Sequence, residues 1–432
     1  MRILAALSTL AFLACLHAQT TLSGDWVFVL SRFDQKNYQR MSLTQNGTDL
    51  TGKGRGVTLT GTVHGDKLEC EAKPGDQTVK VTATFDGREI HGIASSSDGE
   101  QQLLAYREAP HAAPQTRTFE PEHFYRLFSG AIAPVLHINP GDTIKTWTVD
   151  AGGWDSSGKR RSNGGNPETG PFYIDGAIPG DALAITLNRV HLNRDSAISD
   201  GSLAANALDA YYFADLEKVK DFNADWTLDR ERGVAHLKEP TAKLKDYTIP
   251  LRPMMGCIGV APGGDMVYRS GFLGGFGGNM DYNEMREGVT LYLPVSQPGA
   301  LLFIGDGHAA QGDGELTGDA LETSMDVEFT VNLIPGGAQG QSFPRLENSE
   351  YIMAMGIAGS LNDALKGATT GLSRWLARDY GLNPAEIAAV LGTSMRYDIA
   401  EIVDPYVNVV AKVKKQALQP IPKQPTGSSR PR

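Results

Sequence analysis

Between Asp306 and Glu315 the chain sets one imidazole and three carboxylates within ten residues, Asp306, His308, Asp313 and Glu315, among the small residues of GDGHAAQGDGE. Nitrogen and oxygen donors gathered on a glycine-rich loop form a metal-site composition. Upstream, the glycine-dense stretch Gly271 to Gly278 lets the backbone approach a ligand closely and delivers Asn279 and Asp281. The same residue types also make ordinary solvated turns. Neither HExxH nor CxxC occurs, so spacing alone selects no class of metal site.

These residues need strands to hold them. Thr290 to Val295 (TLYLPV) reads as one strand, Pro298-Gly299 as a turn, and Leu301 to Ile304 as a second strand that empties into the acidic loop. Two similar turns lie earlier. Pro140-Gly141-Asp142 precedes TIKTWTVD, and Pro179-Gly180-Asp181 precedes ALAITL. Helices come late: Ser360 to Tyr380 carries Leu361, Leu365, Leu372, Trp375 and Leu376, and Pro384 to Leu391 follows Asn383 as N-cap. Together these predict a mainly β fold with α+β elements, built of packed sheets or barrels with helices near the end.

Residues 19–108 have a different texture. Asp25 to Leu30, Arg40 to Thr44, Val57 to Val63, Lys67 to Ala72, Thr78 to Phe85 and Glu89 to Ala94 alternate, with turn residues between them. They predict a small antiparallel meander or barrel without a concentrated polar site. Residues 109–118, with Pro110 and Pro114, read as a linker, 119–418 as the catalytic domain, and the proline-rich 419–432 as a disordered tail. A net charge of −10 argues against nucleic acid or an anionic membrane surface as partner. Cys70 and Cys257 fall in different predicted domains and indicate no disulfide framework. Cys257, between apolar residues and glycines, reads as a small core residue.

GGFGGNMD, TLYLPV and GDGHAAQGDGE, in that order, closely resemble the acetamidase/formamidase family of short-chain amide hydrolases. The resemblance extends upstream through PGDTIKTWTVDAGG, GPFYIDGAIPGDALAITL and PMMGCIGVAP, and downstream to SMRYDIAEIVDP, spanning about Phe128 to Val410. It implies hydrolysis of a small linear amide of the formamide or acetamide type to carboxylate and ammonia. It also favours Asp150, at the end of TIKTWTVD, as a metal ligand.

An unactivated amide demands a nucleophile, a stabilised oxyanion and a proton for the leaving amine. The chain lacks a GxSxG elbow, the serine-rich stretch of signature amidases and a convincing Glu-Lys-Cys set. Metal-activated water remains, zinc for preference, with His308, Asp150 and Asp281 as ligands and Glu315 as general base and then acid. Asp306 and Asp313 would orient these ligands or bind another cation, calcium included. Asn279 or glycine-loop N–H groups would hold the oxyanion. Two other readings stay open: a hydrolase of another non-peptide C–N bond, and a non-catalytic protein whose acidic loops hold a structural cation. The partner implied is a small amide; a homo-oligomer is compatible with the chain.

The N-terminus bears on where this happens. Arg2, the apolar run Ile3 to Leu16 and the small Ala18 before Gln19 read as a secretory signal over 1–18, and Cys15 fits a lipoprotein cut less well. An exported protein with an added β module departs from cytoplasmic scavenging amidases. Edman or mass-spectrometric sequencing of the secreted protein should read from Gln19; a chain still beginning at Met1 rejects export by this route, and a lipidated Cys15 makes it a lipoprotein.

Overall fold

The computed structural model describes residues 21–216 and 224–424. The signal segment and 425–432 of the expected tail therefore lie outside the described residues. The chain divides into two compact units, one ending at Ala109 and the other beginning at Pro110.

The first unit is a closed barrel of eight antiparallel strands in sequence order: Gly24–Arg32, Gln35–Asn46, Asp49–Gly54, Val57–His64, Lys67–Pro74, Val79–Phe85, Glu89–Ser96 and Gly99–Arg107. Alternation turns Trp26, Phe28, Leu43, Leu59, Leu68, Val81, Ile90 and Leu103 inward, and they fill the interior as side chains do in small barrels. The sequence predicts only six of these strands. Asp49–Gly54 (DLTGKG) hides because it has a single inward apolar side chain, Leu50. Its Gly52 faces the Leu43 and Leu59 side chains, where a Cβ would collide. Gly99–Arg107 begins with polar GEQQ and supplies only Leu103 and Ala105 to the core.

In the second unit two large sheets share one core. The nine-stranded sheet runs Arg396–Glu401, Val407–Lys414, Tyr351–Ala358, Arg345–Glu347, Thr290–Pro294, Ala182–Leu192, Met325–Ile334, Thr143–Thr148 and Thr116–Thr118. The eleven-stranded sheet has Leu302–His308 at its centre, between Met254–Val260 and Glu322–Thr323, and Thr169–Ile174 also pairs with Leu302–His308. Leu183, Ile185, Phe329 and Val331 from the first sheet pack with Ile258, Val260, Phe303 and Ile304 from the second.

The recurrent Pro-Gly-Asp turns have one job. Asp142 accepts the N–H of Asn139 (3.0 Å) and of Gln115 (2.8 Å); Asp181 accepts those of Ile178 (2.9 Å) and Gly336 (2.8 Å). Each buried carboxylate closes its own turn three residues back and ties it to a second segment.

Helix Leu361–Tyr380 starts at Ser360, whose hydroxyl accepts the Asp363 N–H, and stops at Gly381 in the left-handed region. It packs Ala364, Ala368, Leu372, Trp375 and Leu376 on Ile352, Ala354, Val409 and Ala411. Leu361 and Leu365, expected on that face, are exposed. Small residues win the contact because the helix backbone comes so near the sheet that a Cβ at Gly356 would meet the Ala364 carbonyl. Helix Pro384–Ser394 has a full capping box between Asn383 and Glu386. Of the expected tail, 419–424 is held in place, with Ile421 against the helix cluster and the Gln424 N–H on the Asp379 carbonyl at 2.7 Å.

Trp26 anchors the barrel: it is fully buried, donates to the Leu22 carbonyl at 2.8 Å, meets Phe85 edge-on and carries the Arg107 guanidinium on its face. Trp26→Ala should cost about 3–5 kcal/mol of barrel stability, read as a lower urea midpoint by circular dichroism; an unchanged midpoint rejects Trp26 as the anchor.

Candidate metal centre

The second strand of the sequence-predicted hairpin does not stop at Ile304. It continues to His308, paired with Met254–Val260 on one side and Glu322–Thr323 on the other, so Asp306 and His308 stand on a central strand rather than in a loop. His308 lies opposite both Met254 and Glu322 in register. Asp281 arrives from the end of Gly277–Asn279, where Met280 and Asp281 both donate backbone N–H groups to the Gly256 carbonyl. Glu315 is brought in from the loop beyond. Gly314 donates to the carbonyls of Ile399 and Ala400 and accepts from Ile402, which pins the loop along the strand Arg396–Glu401.

The result is two overlapping buried donor groups, Asp281–His308–Glu315 and Asp306–His308–Glu322, in each of which the ligand atoms lie within 4.8 Å of one another. His308 Nε2 is 3.1 Å from Glu322, 3.4 Å from Asp306 and 3.9 Å from Asp281. Its Nδ1 contacts Gln311 Oε1 at 2.9 Å, while Gln311 Nε2 donates to the carbonyls of Asp281 and Ala400. Gln311 thereby presents an acceptor, Nδ1 carries the proton, and Nε2 is turned to the carboxylates as a donor atom for a cation.

Three observations fit this pocket to a cation. Asp281 Oδ1, Asp306 Oδ1 and Glu322 Oε2 are buried without a hydrogen-bond partner. Among the described residues His308 is the sole basic side chain paired with these acids. The centre is also kept open on one side by Gly256, where a Cβ would press on Asp281 Oδ1 and sit 2.6 Å from Asp306 Oδ2. Such a charge surplus is stable only when neutralised. In addition, Asp281, Asp306 and Glu315 all adopt left-handed backbone angles (φ 39°, 59° and 48°), a strained conformation for a non-glycine residue that Phe33, Asp34, Ala300 and Leu301 also adopt elsewhere.

The electrostatics follow. Burial, reinforced by Glu315 and Asp306, pushes the Asp281 carboxyl well above its usual range. Burial, with Glu322, Asp306 and Asp404 and against His308, does the same to Glu315. Burial lifts Glu322 to about 8 despite His308 beside it. Burial alone would lower the His308 imidazole, but Glu322 and Asp306 outweigh it and hold it well above its ordinary value.

Of the residues singled out by sequence, then, Asp281, Asp306, His308 and Glu315 meet. Asp150 belongs to neither donor group. Its carboxylate accepts the Trp154 N–H and pairs with Arg194 at 2.5 Å, and the same Arg194 nitrogen donates to the Glu322 carbonyl. Asp150 thus braces the strand that carries Glu322. Asp313 is exposed and accepts from Asn283, because the Gly314 ladder turns its neighbour Glu315 inward instead. Asn279 spends its amide N–H groups on Asp281 (2.5 Å) and Asp404 (2.8 Å), which leaves neither for an oxyanion.

Sequence reading passed over Glu322, Glu168, Asn166, Gln311, Glu401 and Asp404. Asn166 donates to Asn279 and Asp306 from the long loop after Asp150. Glu168 is fully buried with both oxygens unpartnered, and burial and Asp306 raise its carboxyl. Cys257 lies beside it, but burial, Glu168 and Asp306 push the thiol up, so it is not an activated nucleophile. Burial and Asp404 take Glu401 to about 8, and burial, against the Asn279 hydrogen bond, takes Asp404 to about 7. Both stand in SMRYDIAEIVDP, so the signal was in view; Glu322 had none, since its partner is chosen by strand register.

A family model described as Acetamidase/Formamidase matches residues 275–411. The acetamidase of Mycolicibacterium smegmatis is 39% identical over 64 residues, which are 15% of this chain and 16% of that protein, so the sequence alignment spans about a sixth of that curated relative. Two solved structures match far more of the chain. The acetamidase from Yersinia enterocolitica gives a TM-score of 0.59 at 28% identity, over 71% of this chain and 94% of its own. That from Bacillus halodurans gives 0.59 at 26%, over 71% and 99%.

The raised carboxyls set a pH signature for cation-free protein. Glu322, Glu401 and Asp404 have folded-state values of about 8, 8 and 7, against ordinary values of 4.5, 4.5 and 3.8. The folded state therefore binds these protons more tightly, and their stabilisation is lost as pH rises towards 8. Chelator-treated protein should melt at a lower temperature at pH 8 than at pH 5.5, and a divalent cation should restore the loss at pH 8. A melting temperature independent of pH and cation would show that the acids are neutralised otherwise.

Proposed function

We infer that this chain, whose second domain belongs to the acetamidase/formamidase family, hydrolyses a small linear amide to carboxylate and ammonia at the His308 centre. The observation that carries the reading is coincidence: the matched stretch 275–411 contains every member of both donor groups. The centre would hold a divalent cation through His308 Nε2, Asp281, Asp306 and Glu322. The imidazole donor favours zinc, and the oxygen-rich remainder suits calcium as a second or structural ion. When bound, such an ion supplies a Lewis acid that polarises the amide carbonyl and makes water more acidic.

The chain's own residues do the rest. Gln311 fixes the imidazole tautomer. Asn279 and Asn166 orient Asp281 and Asp306. Glu315 takes one proton from the attacking water and returns it to the departing nitrogen as the C–N bond breaks, so that the carboxylic acid and ammonia form, and the acid's remaining proton passes to ammonia or solvent to leave carboxylate and ammonium. The low-dielectric surroundings strengthen each of these contacts.

One observation favours a second reading, a related hydrolase of another non-peptide C–N bond. The long loop between Asp150 and Thr169 sends Asn166 and Glu168 to the centre, and such a loop reshapes what the pocket admits. We extend the proposal to an exported protein, on the strength of the N-terminal sequence pattern.

Ammonia release from formamide and acetamide, measured with bound metal on the same preparation, tests the proposal. Glu315→Gln should keep its metal and lose turnover by about a hundred- to ten-thousand-fold, whereas His308→Ala should lose both. Loss of metal from Glu315→Gln makes Glu315 a ligand, and full activity in that variant overturns its acid–base role.

A further inference from the structure

Away from the His308 centre, a cavity of about 290 Å³ lies between helix Leu361–Tyr380 and the segment from Gln339 to Arg345. Helical spacing of four aligns Lys366, Thr370, Arg374 and Arg378 in one row facing it, and Arg345 enters from the opposite wall. Four cations line one small space.

Their counter-charges are few. Lys366 pairs with Asp363 at 2.9 Å. Arg378 pairs with Asp379, whose other oxygen accepts the Trp375 indole N–H. Arg374 reaches only the Gly340 carbonyl (3.3 Å) and the Ser342 hydroxyl (3.4 Å), and has no carboxylate among the described residues. Arg345 is 94% buried by its 6% exposure, and its Nε has no hydrogen-bond partner. Its guanidinium carbon lies 5.0 Å from the Trp375 ring centre and 5.9 Å from that of Tyr292, and these two rings meet edge-to-face on one side of it. Burial and Arg378 lower it to about 10, so it stays charged at neutral pH. Arg345, buried with its Nε unpartnered and with Asp379 the acid that acts on it, shares this cavity with Arg374, which has no carboxylate among the described residues; arginines so placed are the donors that planar or tetrahedral oxyanions recognise.

We propose that this cavity is a binding site for a small oxyanion, with Arg345 and Arg374 as its principal donors. Its volume lies at the lower end of small-molecule pockets, so it admits a small molecule bearing a carboxylate or phosphate group, or the free ion with room to spare, and not an extended polyanion. The two sources differ in meaning: a carboxylate is the product class of amide hydrolysis, and phosphate is an independent solute.

Isothermal titration of the full chain with inorganic phosphate, and separately with acetate, at constant ionic strength set by chloride, tests this. Saturable binding is expected for at least one, with Arg374→Gln weakening it about tenfold or more. Arg345→Gln should abolish it; because that residue is buried, its circular dichroism must match wild type for the comparison to count, and Arg374→Gln carries the test if it does not. Acetate binding alone identifies a product-class site, phosphate binding alone identifies a phosphate site, and competition between them identifies a general oxyanion site. No saturable binding to either overturns the proposal. So does binding that Arg374→Gln leaves unchanged, which would put the anion elsewhere, at the metal centre for instance.

Discussion

Everything around His308 depends on an excess of buried negative charge. Asp281, Asp306, Glu315 and Glu322 converge on one imidazole, with Glu168, Glu401 and Asp404 behind them, and each is buried or nearly so. Uncompensated, such a gathering is among the least favourable arrangements a protein interior can hold, because desolvation penalises each charge and the charges repel. Partial protonation relieves it in part, as the raised carboxyls show. A divalent cation would relieve it more fully and would use the orphaned oxygens at the same time.

The scaffold accepts this because it is rigid where it counts. His308 and Asp306 stand on a strand flanked on both sides by partners. The three left-handed carboxylate positions are each held by backbone bonds: Asp281 to Gly256, Glu315 through its Gly314 neighbour, and Asp306 between the paired Gly305 and Gly307. Strain of roughly 1–3 kcal/mol per residue is tolerable in such surroundings. The donors consequently need little rearrangement to receive a ligand.

Much of this was legible in residues and spacing, and the omissions have physical causes. The glycine-rich stretch and GDGHAAQGDGE announced Asp281, Asp306, His308 and Glu315, because small residues beside clustered donors are visible in one dimension. The loop assignment of Asp306 and His308 failed because glycines read as breakers, yet here Gly305 and Gly307 pair in a ladder and make room, the former for the Glu168 carboxylate. Glu322 joins His308 only through cross-strand register, which local sequence does not encode. Asp150 misled for the converse reason: a carboxylate at a strand end looks like a ligand until its arginine, Arg194, folds in beside it. The late helix was placed correctly, but its buried face follows backbone proximity at Gly356 and not the largest apolar side chains.

The closure of the N-terminal barrel has a further consequence. Gly24–Arg32 pairs with both Gln35–Asn46 and Gly99–Arg107, so every strand has two neighbours, although Gln35–Arg40 has its ladder with Gly24–Arg32 alone while Met41–Asn46 also joins Asp49–Gly54. Open rows of main-chain N–H and C=O groups are what allow one protein to extend another's sheet, in recognition or in aggregation. Closure therefore leaves this module little edge for strand addition. Most of what it presents outward is side chains such as those of Thr60, Glu69, Glu71 and Lys80, a charged and hydroxylated surface suited to solvated, reversible contact.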